Sequence, residues 1–319
     1  RADASSAVDS AAADAVTLTQ LSAPYESAAA WQDAPVTFIR LEGNSIVVEG
    51  DGVAIDGSTA TITAAGNYEL SGALTDGQII VDTKDKETVY LILNGVDLRS
   101  SVNAPLAVLD AKTAVIVLAE GAQNFIEDSA SYVFANPEDD EPNAALFAKS
   151  DLTITGAGAL TVRGNYNDGI ASKDGLVIES GSITVSAVDD GIRGKDYLVV
   201  KNGSLTIDAG GDGLKADNED DATLGYILVE AGEIRVTAGG DALTAQSNVL
   251  VRGGDFTLTA GGGGTTRIDD SHSAKGVKAA VGIQIDGGAF AIDAADDGVH
   301  ANGGIVINGA IRDAAALRV

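Results

Sequence analysis

Residues 168–175 read DGIASKDG, 190–197 read DGIRGKDY and 212–219 read DGLKADNE. The leading aspartates Asp168, Asp190 and Asp212 are 22 residues apart, and Asp241 follows after 29. Asp297 comes 56 residues later, and Lys275 divides that gap into 34 and 22. The unit is therefore 22 residues, with inserts of 7 and 12. A fixed period of this length marks a stacked repeat architecture.

The rest of the unit keeps step. A first apolar pair runs Leu152/Ile154, Leu176/Ile178, Leu198/Val200, Ile227/Val229, Val249/Val251, Ile283/Ile285 and Ile305/Ile307. A second runs Leu160/Val162, Ile183/Val185, Leu205/Ile207, Ile234/Val236, Phe256/Leu258 and Phe290/Ile292. A spacing of two is the strand period. Gly181, Gly203, Gly232, Gly254 and Gly288 separate the pairs, where the chain must turn. A third short strand follows the Asp-Gly, led by Ile170, Ile192, Leu214, Leu243, Val277 and Val299. Three strands and three corners in 22 residues make one coil of a parallel β-helix. Coils stack about 4.8 Å apart, so every position becomes a ladder. The fold class is all-β, a single-stranded parallel β-helix over 43–310. SIVVEG, ATITAAG, QIIVDT, VYLILNG and AVIVLAEG, within 45–135, read as earlier, less regular coils. Residues 1–42 form an Ala/Ser-rich arm or cap and 311–319 a tail. A β-helix end leaves a strand edge that needs covering.

Composition narrows the partners. Lys+Arg 20 against Asp+Glu 47 leaves a net charge of −27, which repels nucleic acid and anionic membranes. The absence of cysteine excludes disulfides, thiolate zinc sites and a cysteine nucleophile, and two histidines make a His-rich metal site a poor fit. No stretch reaches the roughly 20 apolar residues of a membrane helix. The first residue is Arg1, which fits a mature chain without its leader. The expected location is extracellular or at the cell surface.

Two ladders carry charge. Asp168, Asp190, Asp212 and Asp241 stack, with Asp189 and Asp296 beside the run. Carboxylates about 5 Å apart repel by roughly 1 kcal/mol in water and several-fold more at lower dielectric. They must splay into water, share protons or bind a hard cation. Oxygen-only ligands point to Ca²⁺. Asp196 and Asp217 lie close along the coil. The alternative use of each aspartate is a cap on its own Asp-Gly turn. Lys275 takes the ladder position between Asp241 and Asp297 and is expected to neutralise that stretch without metal. The second ladder is basic: Arg193, Lys215, Lys278 and His300, pointing outward by strand alternation, with Lys173 and Lys195 on the same side. Beside bound Ca²⁺ it would suit a polymer with regularly spaced carboxylates; the alternative is pairing with the adjacent aspartates. Tyr166 is a candidate for stacking on a sugar ring. A lyase acting on a Ca²⁺-acidified sugar with Arg193 or Lys215 as base, or an inverting hydrolase built on Asp189 and Asp190 with a third carboxylate, is the less favoured enzymatic reading.

The strings SGALTDGQIIVDTKDKETVYLILNGVDL (71–98), EDDEPNAALFAKSDLTITGAGALTVRGNYNDGIASKD (138–174), DDGIRGKD (189–196) and GGDGLKADNED (210–220) carry a resemblance. Over about 43–310 the chain resembles the bacterial carbohydrate-binding β-helix family formerly called a domain of unknown function and described as binding cellulose and acidic sugars. The resemblance implies a right-handed, pectate-lyase-like β-helix, bound Ca²⁺, and carbohydrate binding without catalysis. It implies Asp189, Asp190, Asp196, Asp212 and Asp217 as Ca²⁺-bearing. The expected partner is polysaccharide, polyuronate or cellulose. The alternative is a Ca²⁺-stabilised surface filament or matrix protein that self-associates through the N-terminal arm and the β-helix ends.

Overall fold

The computed structural model describes residues 35–134, 136, 138–269 and 272–308. The arm before Pro35, with Trp31, and the tail after Asn308 lie outside the described residues. Every regular element described is a strand.

The strands stack in three columns, and together they form a parallel β-helix. The first column includes Asp151–Gly156, Gly175–Ile178, Tyr197–Val200, Tyr226–Val229, Asn248–Val251, Gly282–Ile285 and Gly304–Ile307. The second includes Ala159–Gly164, Ser182–Ala187, Ser204–Ala209, Glu233–Ala238, Asp255–Ala260 and Ala289–Ala294. The third runs from Thr59–Ile62 to Val299–Ala301 and is a separate sheet. The register follows the 22-residue reading. Leu176 pairs with Leu198, Leu198 with Ile227, and Ile227 with Val249. Ile183 pairs with Leu205 and Leu205 with Ile234. Ile170 pairs with Ile192 and Ile192 with Leu214. These side chains point inward and form one continuous core. Each fully buried Leu or Ile contributes roughly 1.5–3 kcal/mol. Phe256 and Phe290 stack inside it at 4.3 Å between ring centroids.

The early strands differ from the expectation. SIVVEG is not a coil: Ser45–Glu49 pairs antiparallel with Val36–Gly43. Val53–Asp56 likewise pairs antiparallel with Thr59–Ile62. Alternation alone cannot tell a parallel strand from an antiparallel one. The two hairpins sit at the N-terminal edges of the stacks. Val36–Gly43 already stacks in parallel on Gly66–Leu74, so the helix begins ahead of residue 43. Gly66–Leu74 and Thr88–Arg99 run through both of the first two columns.

Two kinds of glycine shape the coil. The corner glycines have φ of +114° at Gly181, +124° at Gly203 and +118° at Gly232, a region that disfavours a side chain. A Cβ on Gly232 would also lie 2.9 Å from the Gly203 carbonyl oxygen. The glycine of the Asp-Gly pair has a different task. A Cβ at Gly191 would meet Ile207 Cγ2 at 2.4 Å, and one at Gly213 would meet Val236 Cγ1 at 2.3 Å. These glycines make room for the second column rather than supplying a left-handed turn. Gly232→Val is expected to lower stability by roughly 3 kcal/mol or more, from strain plus overpacking. Thermal unfolding followed by circular dichroism checks this; an unchanged melt refutes the corner assignment.

Candidate functional site

The aspartate ladder is held by its own backbone. Asp168 Oδ1 accepts the Asp190 N–H at 3.2 Å, and Asp190 Oδ1 accepts the Asp212 N–H at 2.9 Å. Asp212 Oδ1 accepts the Asp241 N–H at 2.8 Å, and Asp241 Oδ1 accepts the Lys275 N–H at 2.7 Å. Each carboxylate therefore caps the next coil, not its own turn. A charged acceptor makes these bonds stronger than neutral ones.

The second oxygen faces the basic ladder. Lys215 Nζ lies 2.9 Å from Asp190 Oδ2 and 3.1 Å from Asp212 Oδ2. Lys278 Nζ lies 2.9 Å from Asp241 Oδ2. Arg193 pairs with Asp217 at 2.7 Å and stands 3.9 Å from Asp168 Oδ2. His300 Nδ1 meets Asp297 at 2.9 Å. Lys275, expected to neutralise the gap between Asp241 and Asp297, sends its amine to Asp296 instead. The outlying cations are met by inserts: Lys173 by Glu141 at 2.6 Å and Lys195 by Asp220 at 3.2 Å. Burial works against the charge on Lys215, but Asp190 and Asp212 outweigh it and hold the amine above the usual lysine range. The Arg193 guanidinium is likewise held up by Asp217 and Asp168 against its burial. Neither group is disposed to act as a base.

One acidic group is different. Oxygens of Asp168, Asp189 and Asp190 lie within 4.8 Å of one another, with Asp168 and Asp190 buried and Asp189 exposed. Asp168 Oδ2 is buried and accepts no hydrogen bond. Asn143, whose carbonyl accepts the Asp168 N–H at 3.1 Å, also keeps a buried side-chain oxygen without a hydrogen bond. Oxygens on opposite sides of a Ca²⁺ ion stand about 5 Å apart, so the spacing and the donor type fit that ion. Burial, and then the charge of Asp190, push Asp168 up to about 7. Asp196, Asp212, Asp217 and Asp241 do not join this group. Asp196 accepts from Asn218 at 2.6 Å, and the other three are engaged with Arg193, Lys215 or Lys278; Asp190 shares Lys215 with Asp212 and still stands within the group.

An aromatic cluster borders the triad. Tyr166, two residues before Asp168, stacks on Tyr132 at 4.1 Å between centroids, and Phe134 meets it edge-on at 6.4 Å. The Tyr132 hydroxyl donates to Asp128 at 2.6 Å. Tyr132, Phe134 and Glu141 come from the segment between Gln123–Glu127 and Ala144–Ala148. Sequence reasoning passed over them because an insert occurs once and leaves no periodic trace. The only signal was the pair of aromatic residues in SYVF, in a chain with 4% aromatics.

Comparison with known proteins agrees with this architecture. Residues 56–316 match the family described as carbohydrate-binding domain-containing protein. A protein of that description from Acetivibrio thermocellus is 39% identical over 137 residues, 43% of this chain and 48% of its own length. The chain thus spans about half the length of that curated relative. Among solved structures, the polysaccharide lyase-like protein from C. thermocellum, a gadolinium derivative, superposes with a TM-score of 0.68 at 29% identity. That match covers 86% of this chain and 97% of the other.

The pH response of Asp168 follows from its burial. Its carboxyl ionises near 3.8 in the unfolded chain and at about 7 in the folded one. Between these values the folded state keeps a proton that the unfolded state has lost. Raising the pH across that window therefore removes stability, by roughly 4 kcal/mol in total for a cation-free chain, and the loss levels off above it. Asp168→Asn keeps the acceptor for Asp190 and removes the titration. In EDTA, the wild-type melting temperature is expected to fall from pH 4 to 7 relative to the variant; parallel curves refute the assignment.

Proposed function

Because the chain belongs to the carbohydrate-binding domain-containing family, we propose that it is a calcium-dependent carbohydrate-binding module for acidic polysaccharide, acting outside the cell without catalysis. The observation that carries this reading is the Asp168–Asp189–Asp190 triad. It combines a buried oxygen that accepts no hydrogen bond with an exposed carboxylate, beside the Tyr166–Tyr132 stack. Asp168, Asp189 and Asp190 would hold Ca²⁺, and the ion's remaining positions would take a uronate carboxylate. The ring of the same or the next sugar would lie against Tyr166. A chain of charge −27 repels a polyanion, so a bridging cation suits such a ligand better than direct pairing. The basic ladder does not offer a bare cationic stripe, because its members already hold carboxylates.

The lyase and hydrolase readings fare worse. A lyase base must be neutral, whereas Lys215 and Arg193 are held protonated by their neighbours. An inverting hydrolase separates its carboxyl groups by about 6.5–9.5 Å to admit a water. The Asp189 and Asp190 oxygens come within 4.8 Å.

Calorimetric titration with polygalacturonate tests the proposal, on EDTA-stripped and Ca²⁺-loaded protein, with light scattering on both. Heat with Ca²⁺ alone and constant particle size is the expected result. Asp189→Asn is expected to abolish that heat while leaving the melt of the stripped protein unchanged. Tyr166→Ala is expected to weaken binding by about tenfold. Equal heat in EDTA, or no heat with Ca²⁺-driven growth in size, would overturn it.

A further inference from the structure

The basic ladder follows a rule that one member breaks. Ala171, Arg193, Lys215, Thr244, Lys278 and His300 share one line across the third column. Its two lysines reach back to the aspartate of the coil before. Lys215 lies 2.9 Å from Asp190 Oδ2, and Lys278 lies 2.9 Å from Asp241 Oδ2. By the same rule Arg193 belongs on Asp168. It stands 3.9 Å from Asp168 Oδ2 instead, too far for a hydrogen bond. No other ladder position can replace it. Asp212 is met by Lys215 of its own coil, at 3.1 Å. The matching position in the coil of Asp168 is Ala171, which carries no charge.

An aspartate outside the acidic ladder holds Arg193 away. Asp217 directly follows the third-column strand Leu214–Ala216. Its carboxylate takes the guanidinium twice: Arg193 Nε donates to Oδ1 at 3.1 Å, and Nη2 lies 2.7 Å from Oδ2. Two such bonds fix the direction of a guanidinium as well as its place. The next residue anchors this arrangement. Asn218 is buried, its backbone N–H donates to the Lys195 carbonyl at 2.9 Å, and its side-chain amide donates to Asp196 at 2.6 Å. Its side-chain oxygen accepts the N–H groups of Asp220 and Asp221, both at 2.9 Å. The segment that carries Asp217 is thus tied to the preceding coil.

We propose that Asp217 is a positioning residue for the Asp168–Asp189–Asp190 group. It draws Arg193 aside and leaves the second oxygen of Asp168 to a divalent cation rather than to the protein's own guanidinium. The inference rests on the calcium reading above and assigns Asp217 a role other than that of a ligand, since both its oxygens already hold Arg193. Arg193 is the built-in competitor. About 1 Å nearer, its Nη1 would form a charge-assisted hydrogen bond to Asp168, neutralise that carboxylate and set a like charge against the cation.

Calcium titration by calorimetry, without polysaccharide, tests this on four chains: unaltered, Asp217→Asn, Arg193→Gln and the double variant. Asp217→Asn is expected to weaken calcium binding by about tenfold or more. Arg193→Gln is expected to bind at least as tightly as the unaltered chain. The double variant is expected to match Arg193→Gln within about twofold, the residue of a distant charge. An equal loss from Asp217→Asn with and without Arg193 would overturn the proposal and make Asp217 a ligand. Unchanged affinity in Asp217→Asn would also overturn it. A second arm needs no calcium. At pH 8 in EDTA, Asp168→Asn is expected to raise the melting temperature of the unaltered chain, because it removes a buried carboxylate oxygen that accepts no hydrogen bond. In the Asp217→Asn background it is expected to lower it, because it breaks the new pair with Arg193. The same sign in both backgrounds would overturn the diversion of Arg193. Absence of calcium heat in the unaltered chain would refute the calcium reading itself, and the reversal in EDTA would then still decide whether Asp217 holds Arg193 off Asp168.

Discussion

Stacking in register is the constraint from which the rest of this structure follows. Each coil sits about 4.8 Å above the last, so a residue's nearest neighbour is its own copy. For Leu and Ile that repetition builds a continuous core. For aspartate it stacks like charges where water is scarce. The molecule resolves this by giving the two carboxylate oxygens separate partners. One caps the backbone of the next coil, and the other meets a cation from the adjacent strand. The repulsion expected of an acidic ladder becomes a set of bonds between coils.

The same arrangement locates the exception. Asp168 begins the ladder, and its second oxygen has only Arg193 at 3.9 Å, which is itself drawn to Asp217 at 2.7 Å. The pattern that neutralises the later aspartates is incomplete here, and Asp189 adds a further carboxylate. Inserts then decorate this end of the third column, supplying Glu141 to Lys173 and the Tyr132–Phe134 pair to Tyr166. Regular coils provide the scaffold, and the irregular segment between them provides the chemistry that is not repeated.

Much of the coil was legible from residues alone. The 22-residue period, the apolar pairs and the corner glycines reappear in the observed register, because a ladder requires similar side chains at equivalent positions. The N-terminal hairpins were misread, since strand alternation is the same in parallel and antiparallel pairing. An Asp-Gly turn was only the alternative reading of each aspartate, and the second-column side chains at Ile207 and Val236 are what require the glycine. The acidic residues were identified as a group, but their division into one cluster and several ion pairs was not.

The sequence by itself determined the period, the direction in which each strand side chain faces, and the excess of acidic charge. These depend on spacing and residue type, which are local properties of the chain. Tertiary structure alone decided which oxygen faces an amide, which a lysine, and which accepts no hydrogen bond. It also brought Tyr132 onto Tyr166. Those outcomes depend on distances of a few ångströms between residues 20 to 40 positions apart, and no local pattern encodes them.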